Sequence, residues 1–299
     1  PEDWEHFEPA MLNAMHRVPK LEKTGIRKFF NGPESFTPDD RYLLGEAPEL
    51  RNFFVAAGFS SIGIQSAGGA GRVLAEWIVN GHPLLDLWDV DIRRVLPFQN
   101  NERYLHDRTV EGLGLLYAMH WPFRQPETSR GVRKSVLHDR LAQVGACFGE
   151  TAGWERANWF APDGMVPNYD YSYGRQNWFS ASADEHLAVR KQVGMFDMSS
   201  FGKFMVQGRD AEAVMNRICA NNVAVEPGKV VYTAWLNERG GIESDLTVTR
   251  LREDAYLVVT AGTSQTRDLA WLRRQLPDEA NAVVTDVTSG YVVLSVMGP

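Results

Sequence analysis

The stretch Val55-Ala-Ala-Gly-Phe-Ser-Ser-Ile-Gly-Ile-Gln-Ser-Ala-Gly-Gly-Ala-Gly-Arg-Val-Leu-Ala-Glu-Trp-Ile-Val79 decides how the chain is read. The apolar run from Asn52 to Ala57 reads as a buried strand. It breaks into a loop carrying Gly58, Gly63, Gly68, Gly69 and Gly71. Arg72 to Val79 then has apolar side chains at helical spacing, with a Gly81-His-Pro83 stop. A strand, a glycine loop and a helix start let a ligand approach bare backbone, where first-turn N–H groups and the positive end of the helix dipole favour negative charge. The glycines do not follow the dinucleotide fingerprint, and no strand-helix-strand unit with a downstream acid follows, so this is not the first nucleotide-binding turn of a Rossmann fold. Taken alone, the same glycines also suit a turn that packs a helix on a sheet.

Working outward, 299 residues leave room for about two domains. With 44% hydrophobic and 23% charged residues the composition is that of a globular protein, and no apolar run is long enough for a membrane span. A net charge of −7 argues against a nucleic-acid partner. Nine tryptophans and fifteen phenylalanines suit pockets for flat heterocycles, and equally a packed core. Cys147 and Cys219 are too few and too far apart for a disulfide scaffold or a cysteine zinc site, and the histidines show no ligand spacing, so no metal is expected. The chain opens without methionine and stops just after a strand-like run, which reads as an internal piece of a longer protein.

An amphipathic helix is expected over Trp4 to His16, a short strand over Ile26–Phe30, and a turn leading to a strand over Thr37–Gly45. Leu84 to Phe98 reads as a linker wrapped on a surface, followed by helices at Asn101–Met119 and Ser135–Val144 and a strand near Ala146–Phe148. From Asn177 the rhythm becomes α+β. Helices are expected at Asp184–Val193, at Thr263–Gln275, and after an Asp210 cap through Ile218. Strands are expected within Gly194–Gly208 and at Val230–Leu236, Gly241–Arg250, Tyr256–Thr260, Ala282–Val287 and Tyr291–Val296. Val230–Leu236 and Gly241–Arg250 form a hairpin turned at Asn237-Glu-Arg-Gly-Gly241. Alternation puts Ile242, Ser244, Leu246 and Val248 on one face, and Glu243, Asp245, Thr247 and Thr249 on the other. By alternation alone Asp245 is a solvent-facing residue.

Ser35-Phe-Thr-Pro-Asp-Asp40, Leu44-Gly-Glu46, Phe54-Val-Ala-Ala-Gly-Phe59 and the glycine loop resemble the C-terminal part of an FAD-dependent amine oxidoreductase of the D-amino-acid-oxidase type. His120 to Phe160 resembles the connector of the sarcosine and dimethylglycine dehydrogenases. Gly194-Met-Phe-Asp-Met-Ser199 and the hairpin resemble the tetrahydrofolate-binding fold of the glycine-cleavage aminomethyltransferase. The order of these segments resembles the sarcosine/dimethylglycine dehydrogenase family over essentially the whole chain. That resemblance implies an α+β chain in three parts: residues 1–95 from the FAD domain, 96–160 as a connector, and 161–299 as the N-terminal part of a folate-binding domain.

The resemblance implies FAD near Gly58, Ser60, Ser61, Ile62, Gly63, Ile64, Gly68, Gly69 and Gly71, with the helix dipole stabilising charge at the flavin N1/C2=O edge. Arg27, Glu34 and Ser35 are candidates for facing substrate. It also implies tetrahydrofolate on the second part, with Phe196, Tyr232 and Trp235 as pterin-wall candidates. Asp245 would be the catalytic carboxylate beside folate N10. The free aminomethyltransferases carry two adjacent aspartates, where this chain has Ser244 and Asp245; the tyrosine often found beyond them is Thr249 here. The implied reaction is oxidation of an N-methyl amine, sarcosine or dimethylglycine, with transfer of the one-carbon unit to give 5,10-methylene-tetrahydrofolate. An electron acceptor such as an electron-transfer flavoprotein is expected, in the cytoplasm of a bacterium or the mitochondrial matrix of a eukaryote. The same order of segments resembles a non-catalytic relative, the regulatory subunit of pyruvate dehydrogenase phosphatase. A plain aminomethyltransferase is disfavoured by Phe36 to Val79, which such enzymes lack.

Overall fold

Helix α1 (Trp4–Arg17) begins at Asp3, whose carboxylate accepts the His6 N–H at 3.0 Å. The computed structural model describes residues 2–299 as a small unit up to Ser35 and a large one, Phe36–Pro299. Within the small unit Trp4 stacks on Phe29 with ring centres 4.4 Å apart, and Phe7 leans on the same ring. The strand expected over Ile26–Phe30 does not form, because Phe29 packs on α1 and the segment stays irregular.

The large unit starts with an antiparallel hairpin of β1 (Leu43–Glu46) and β2 (Phe54–Ala57), in register from Leu43↔Ala57 to Glu46↔Phe54. Helix α2 (Gly63–Asn80) follows and buries Trp77 against it. Gly45 sits at φ +114, and a Cβ there would land inside the Trp77 ring, so only glycine fits. The helix begins well before the expected Arg72: Gly68, Gly69 and Gly71 lie inside it. Each glycine costs about 1 kcal/mol relative to alanine, yet buried Ala70 and Trp77 anchor the helix on both sides of the run. Gly81 ends it in the left-handed conformation, its N–H bonding the Trp77 carbonyl at 2.8 Å.

The segment 84–98 lies on the surface as its charges suggested only as far as Val90. Asp91, Arg93 and Leu96 are buried. Arg93 donates to both oxygens of Asp91, at 2.6 Å for the shortest bond, and lies over the Trp77 ring. Arg94 makes a bidentate pair with Asp39. Interleaved charges leave water when each finds its partner a few residues or one loop away. Next come α3 (Glu102–Leu115), capped by Asn101 and stopping short of the expected Met119, then α4 (His138–Gln143). β3 (Ala146–Thr151) and β4 (Trp154–Phe160) pair antiparallel with a bulge at Cys147/Phe148.

α5 (Phe179–Lys191) leads to β5 (Gly194–Asp197), β6 (Gly202–Gln207), α6 (Ala211–Ile218), β7 (Val230–Leu236), β8 (Ile242–Arg252), β9 (Ala255–Thr260), α7 (Gln265–Gln275), β10 (Val283–Asp286) and β11 (Leu294–Met297). Five strands make an antiparallel sheet ordered β10-β6-β9-β8-β7, while β5 and β11 form a separate pair. Phe204, Val206, Trp235, Leu246, Val248, Tyr256 and Val258 pack from one face against Ala211 and Met215 of α6 and Leu272 of α7. The opposite face carries the cross-strand row Lys203↔Val259↔Thr247↔Tyr232. Asp210 does not cap α6 with its side chain; that carboxylate accepts the Asn281 N–H at 2.7 Å instead. The expected α+β architecture is what the chain adopts.

The first turn of α7 ties this sheet to the rest of the large unit. Gln265 donates to Asp286 and accepts from Arg133. The Thr266 hydroxyl donates to the Val95 carbonyl, and Arg267 grips Glu243 through its carbonyl and carboxylate. The Asp268 carboxylate accepts the hydroxyls of Ser244, at 2.9 Å, and Thr260. Nearly two turns further along α7, Arg274 pairs with Glu46 of β1 at 2.5 Å.

Burial pushes the Asp268 carboxyl up to about 6, against the pull of the Thr260 and Ser244 hydroxyls and of Arg267 and Arg93. Its folded-state pKa is raised, so the stability linked to its protonated form is complete below about pH 4 and is lost as pH rises through about 6. Relative to Asp268→Asn, wild-type unfolding free energy should therefore fall by at most about 3 kcal/mol between pH 4 and 7. Urea denaturation across that window measures the difference, and a pH-independent gap would mean that Asp268 has an ordinary pKa. Gly45→Ala should lower the unfolding free energy by about 2–4 kcal/mol, from overpacking plus backbone strain. An unchanged urea midpoint would show that Trp77 moves aside freely.

Candidate functional site

The turn between β2 and α2 is held in backbone conformations that most side chains avoid. Gly58, Ser60 and Ser61 all have positive φ, at +68, +44 and +63. A Cβ on Gly58 would collide with Thr37, and the buried Ser60 hydroxyl reaches back to the Gly58 carbonyl at 3.3 Å. This strained turn aims the start of α2 outward. Its N-cap position is Ile62, which provides no side-chain acceptor, and no acid stands in the first turn. The first N–H groups from Gly63 onward are thus left for a ligand, and Ile64 beside them is fully exposed. A Cβ on Gly68, Gly69 or Gly71 would meet nothing within 4 Å. Those glycines leave one side of the helix bare, with room for a flat group to lie close. An uncapped, acid-free helix start fits the negative edge of a flavin. Gly58 to Ile64 come together at this turn, while the other three glycines lie further along the helix.

The second cluster stands on the open face of the five-stranded sheet. Asp245 is exposed, as alternation implied, and the Tyr232 hydroxyl on the neighbouring strand donates to its Oδ2 at 2.7 Å. The two are diagonal neighbours, since Ala234 pairs with Asp245 and Tyr232 with Thr247. The bond to the Asp245 carboxylate pushes the Tyr232 phenol above its usual value, which keeps it a neutral donor. One carboxylate oxygen is held and the other is left for a ligand.

Trp235 does not join them. It pairs with Ser244 on the core side and is fully buried, so its ring cannot line a pocket on the open face. Strand alternation separates it from Tyr232, which lies an odd number of residues away. Phe196 is partly exposed on the separate β5–β11 ladder, opposite Ser295. Arg27, Glu34 and Ser35 are all exposed.

The sequence reading missed the carboxylate directly behind Asp245. Ser244 points into the core and bonds Asp268 there. The signal was present: Gln265, Asp268 and Leu272 fall at helical spacing on the buried side of α7, and an acid on such a stripe calls for a partner. Among the described residues no three potential metal ligands cluster, and no helix is long and apolar enough to cross a membrane.

Three family models match the chain in succession: FAD dependent oxidoreductase over residues 1–77, FAD dependent oxidoreductase central domain over 80–135, and GCVT N-terminal domain over 137–299. The chain is 51% identical over 99% of its length to 4-methylaminobutanoate oxidase (formaldehyde-forming) from Paenarthrobacter nicotinovorans, covering 36% of that protein. It is 37% identical over 99% of its length to human mitochondrial sarcosine dehydrogenase, covering 37% of it. It is 36% identical over its full length to the mouse mitochondrial pyruvate dehydrogenase phosphatase regulatory subunit, covering 34% of it. The chain thus spans about a third of the length of the curated relatives it matches. FAD and tetrahydrofolate are the cofactors of the two domain types represented. With FAD oxidoreductase segments running into a GCVT domain, and relatives of these names along its whole length, the chain belongs to the sarcosine/dimethylglycine dehydrogenase family.

Proposed function

We propose that the complete protein oxidises an N-methyl amine and passes the one-carbon unit to tetrahydrofolate, forming 5,10-methylene-tetrahydrofolate. The observation that carries this reading is the Tyr232–Asp245 pair on the open sheet face of a folate-type domain. Bound FAD supplies the hydride acceptor. The N–H groups at the start of α2 and the helix dipole stabilise negative charge at the flavin edge. Hydride loss from the N-methyl group would leave a methylene iminium, and tetrahydrofolate, when bound, would supply the nitrogen nucleophiles that capture its carbon and release the amine. The free Asp245 oxygen would accept the N10 proton while Tyr232 holds the other oxygen in place. Electrons leave the flavin to an acceptor such as an electron-transfer flavoprotein. The compartment is the mitochondrial matrix for a eukaryotic source and the cytoplasm for a bacterial one.

Sarcosine and dimethylglycine are the substrates proposed from the sequence. The name of the relative at 51% identity adds 4-methylaminobutanoate, another N-methyl amine, with formaldehyde formed by that relative. The 36% identity to a phosphatase regulatory subunit supports a second reading, a binding protein on the same frame. An anaerobic visible spectrum of the complete protein separates the two. A flavin band bleached by one of these amines is expected, and a protein with no flavin band, or one that none of them reduces, overturns the dehydrogenase reading. In the complete protein, Asp245→Ala should leave the rate of flavin reduction within about twofold, lower the methylene-folate yield at least tenfold and increase formaldehyde release. An unchanged yield would remove Asp245 from the mechanism.

A further inference from the structure

Strand β8 is interrupted just before Asp245. Trp235 of β7 pairs with Ser244, but the next residue, Leu236, pairs with Ile242, so Glu243 is an extra residue with no partner opposite it. This is a β-bulge, which bends a strand locally and re-aims the side chains beside it. Its effect shows in the faces. Simple alternation puts Ile242 on the core side with Ser244, yet Ile242 is 69% exposed, while Ser244 is buried and Asp245 exposed.

The bulge also falls where strand pairing is one-sided. β9 pairs with β8 only from Thr247 onward, so residues 242–246 have a strand on the β7 side alone. A slip of one residue in such a stretch would turn Asp245 toward the core. The first turn of α7 supplies the contacts that β9 does not. Arg267 donates from Nη2 to the Glu243 carbonyl and to Glu243 Oε2, the second at 3.3 Å. Asn237, in the hairpin turn, donates to the other carboxylate oxygen, Oε1, at 3.0 Å. The bulge residue is thus held at its backbone and at both carboxylate oxygens. The neighbouring Ser244 hydroxyl is held by Asp268 at 2.9 Å.

The two halves of this grip differ in kind. Removing Asp268 strips a buried hydroxyl of its partner in the core, which acts on folding. Arg267 is the half that touches the bulge itself, and it is packed from the flavin side by the Trp88 ring, whose centre is 5.8 Å from the guanidinium carbon. We propose that Arg267 is a positioning residue for the folate step: by holding the bulge at Glu243 it aims Asp245 out of the open sheet face, a role that rests on the function given to Asp245 above. The effect runs through two residues of backbone. Loss of the guanidinium should therefore slow the chemistry without weakening tetrahydrofolate binding.

The test is a double-mutant cycle in the full-length protein with Arg267→Met, Asp245→Ala and the two combined. Amine-dependent methylene-folate formation is measured at varied tetrahydrofolate, beside anaerobic flavin reduction. Arg267→Met should lower the maximal rate of methylene-folate formation about fivefold, with the tetrahydrofolate KM and flavin reduction within about twofold of wild type. In the Asp245→Ala background the same substitution should have no further effect, because the group it positions is gone. An unchanged rate, a loss seen in KM alone, or losses that multiply in the double variant would overturn the positioning role while leaving Asp245 its own. An Asp245→Ala protein with unchanged yield overturns the reading of Asp245, and the role of Arg267 with it. If Arg267→Met does not fold, Glu243→Gln, which removes the charge from the same pair, takes its place in the cycle and is judged by the same outcomes.

Discussion

The buried Asp268 carboxylate, accepting the hydroxyls of Ser244 and Thr260, fixes the strand on which the exposed carboxylate stands. The penalty for leaving such a group unsatisfied exceeds the net gain of making its bonds, so the arrangement works as a constraint more than as a source of stability. Its neighbours in the same turn of α7 reach the connector through Gln265, the segment after α2 through Thr266, and the hairpin again through Arg267. Strand β8 is therefore held in register from behind by a helix that is also fastened to the flavin-side segment. A displacement of Val95 or Glu46 would be felt at Ser244 through no more than two turns of helix.

Much of this was legible from residue order because the signals were local. The hairpin turn at Asn237–Gly241 and the alternation along β8 placed Asp245 outward and Leu246 and Val248 inward, as found. Helix α1 was readable from its apolar spacing. The failures come from places where tertiary contacts outweigh local preference. Glycine propensity argued against a helix through Gly68–Gly71, but Ala70 and Trp77 hold that helix by burial. Charge interleaving argued for a wet surface at Asp91–Arg94, but the charges pair internally and Trp77 covers Arg93. Trp235 was chosen for its ring, although counting residues along β7 from Tyr232 already placed it on the other face.

The two candidate sites use opposite means to present charge. At the start of α2 the chain offers backbone N–H groups and withholds any side-chain cap, so the charge presented is the positive end of a dipole. On the sheet a single carboxylate is exposed and steadied by one phenol. Strained turns suit the first task, because Gly58, Ser60 and Ser61 at positive φ keep side chains out of the ligand's path. A flat antiparallel face suits the second, since side chains there stand roughly perpendicular to the sheet at fixed spacing.

Because neighbouring residues of β7 and β8 face opposite sides, the two functions of this sheet are separable in evolution. Val230, Tyr232, Thr247 and Thr249 can be exchanged without entering the core made by Leu246, Val248 and Trp235. Ligand preference can then drift across a family while packing stays fixed, which is how one frame can serve relatives whose names differ as much as an oxidase and a regulatory subunit.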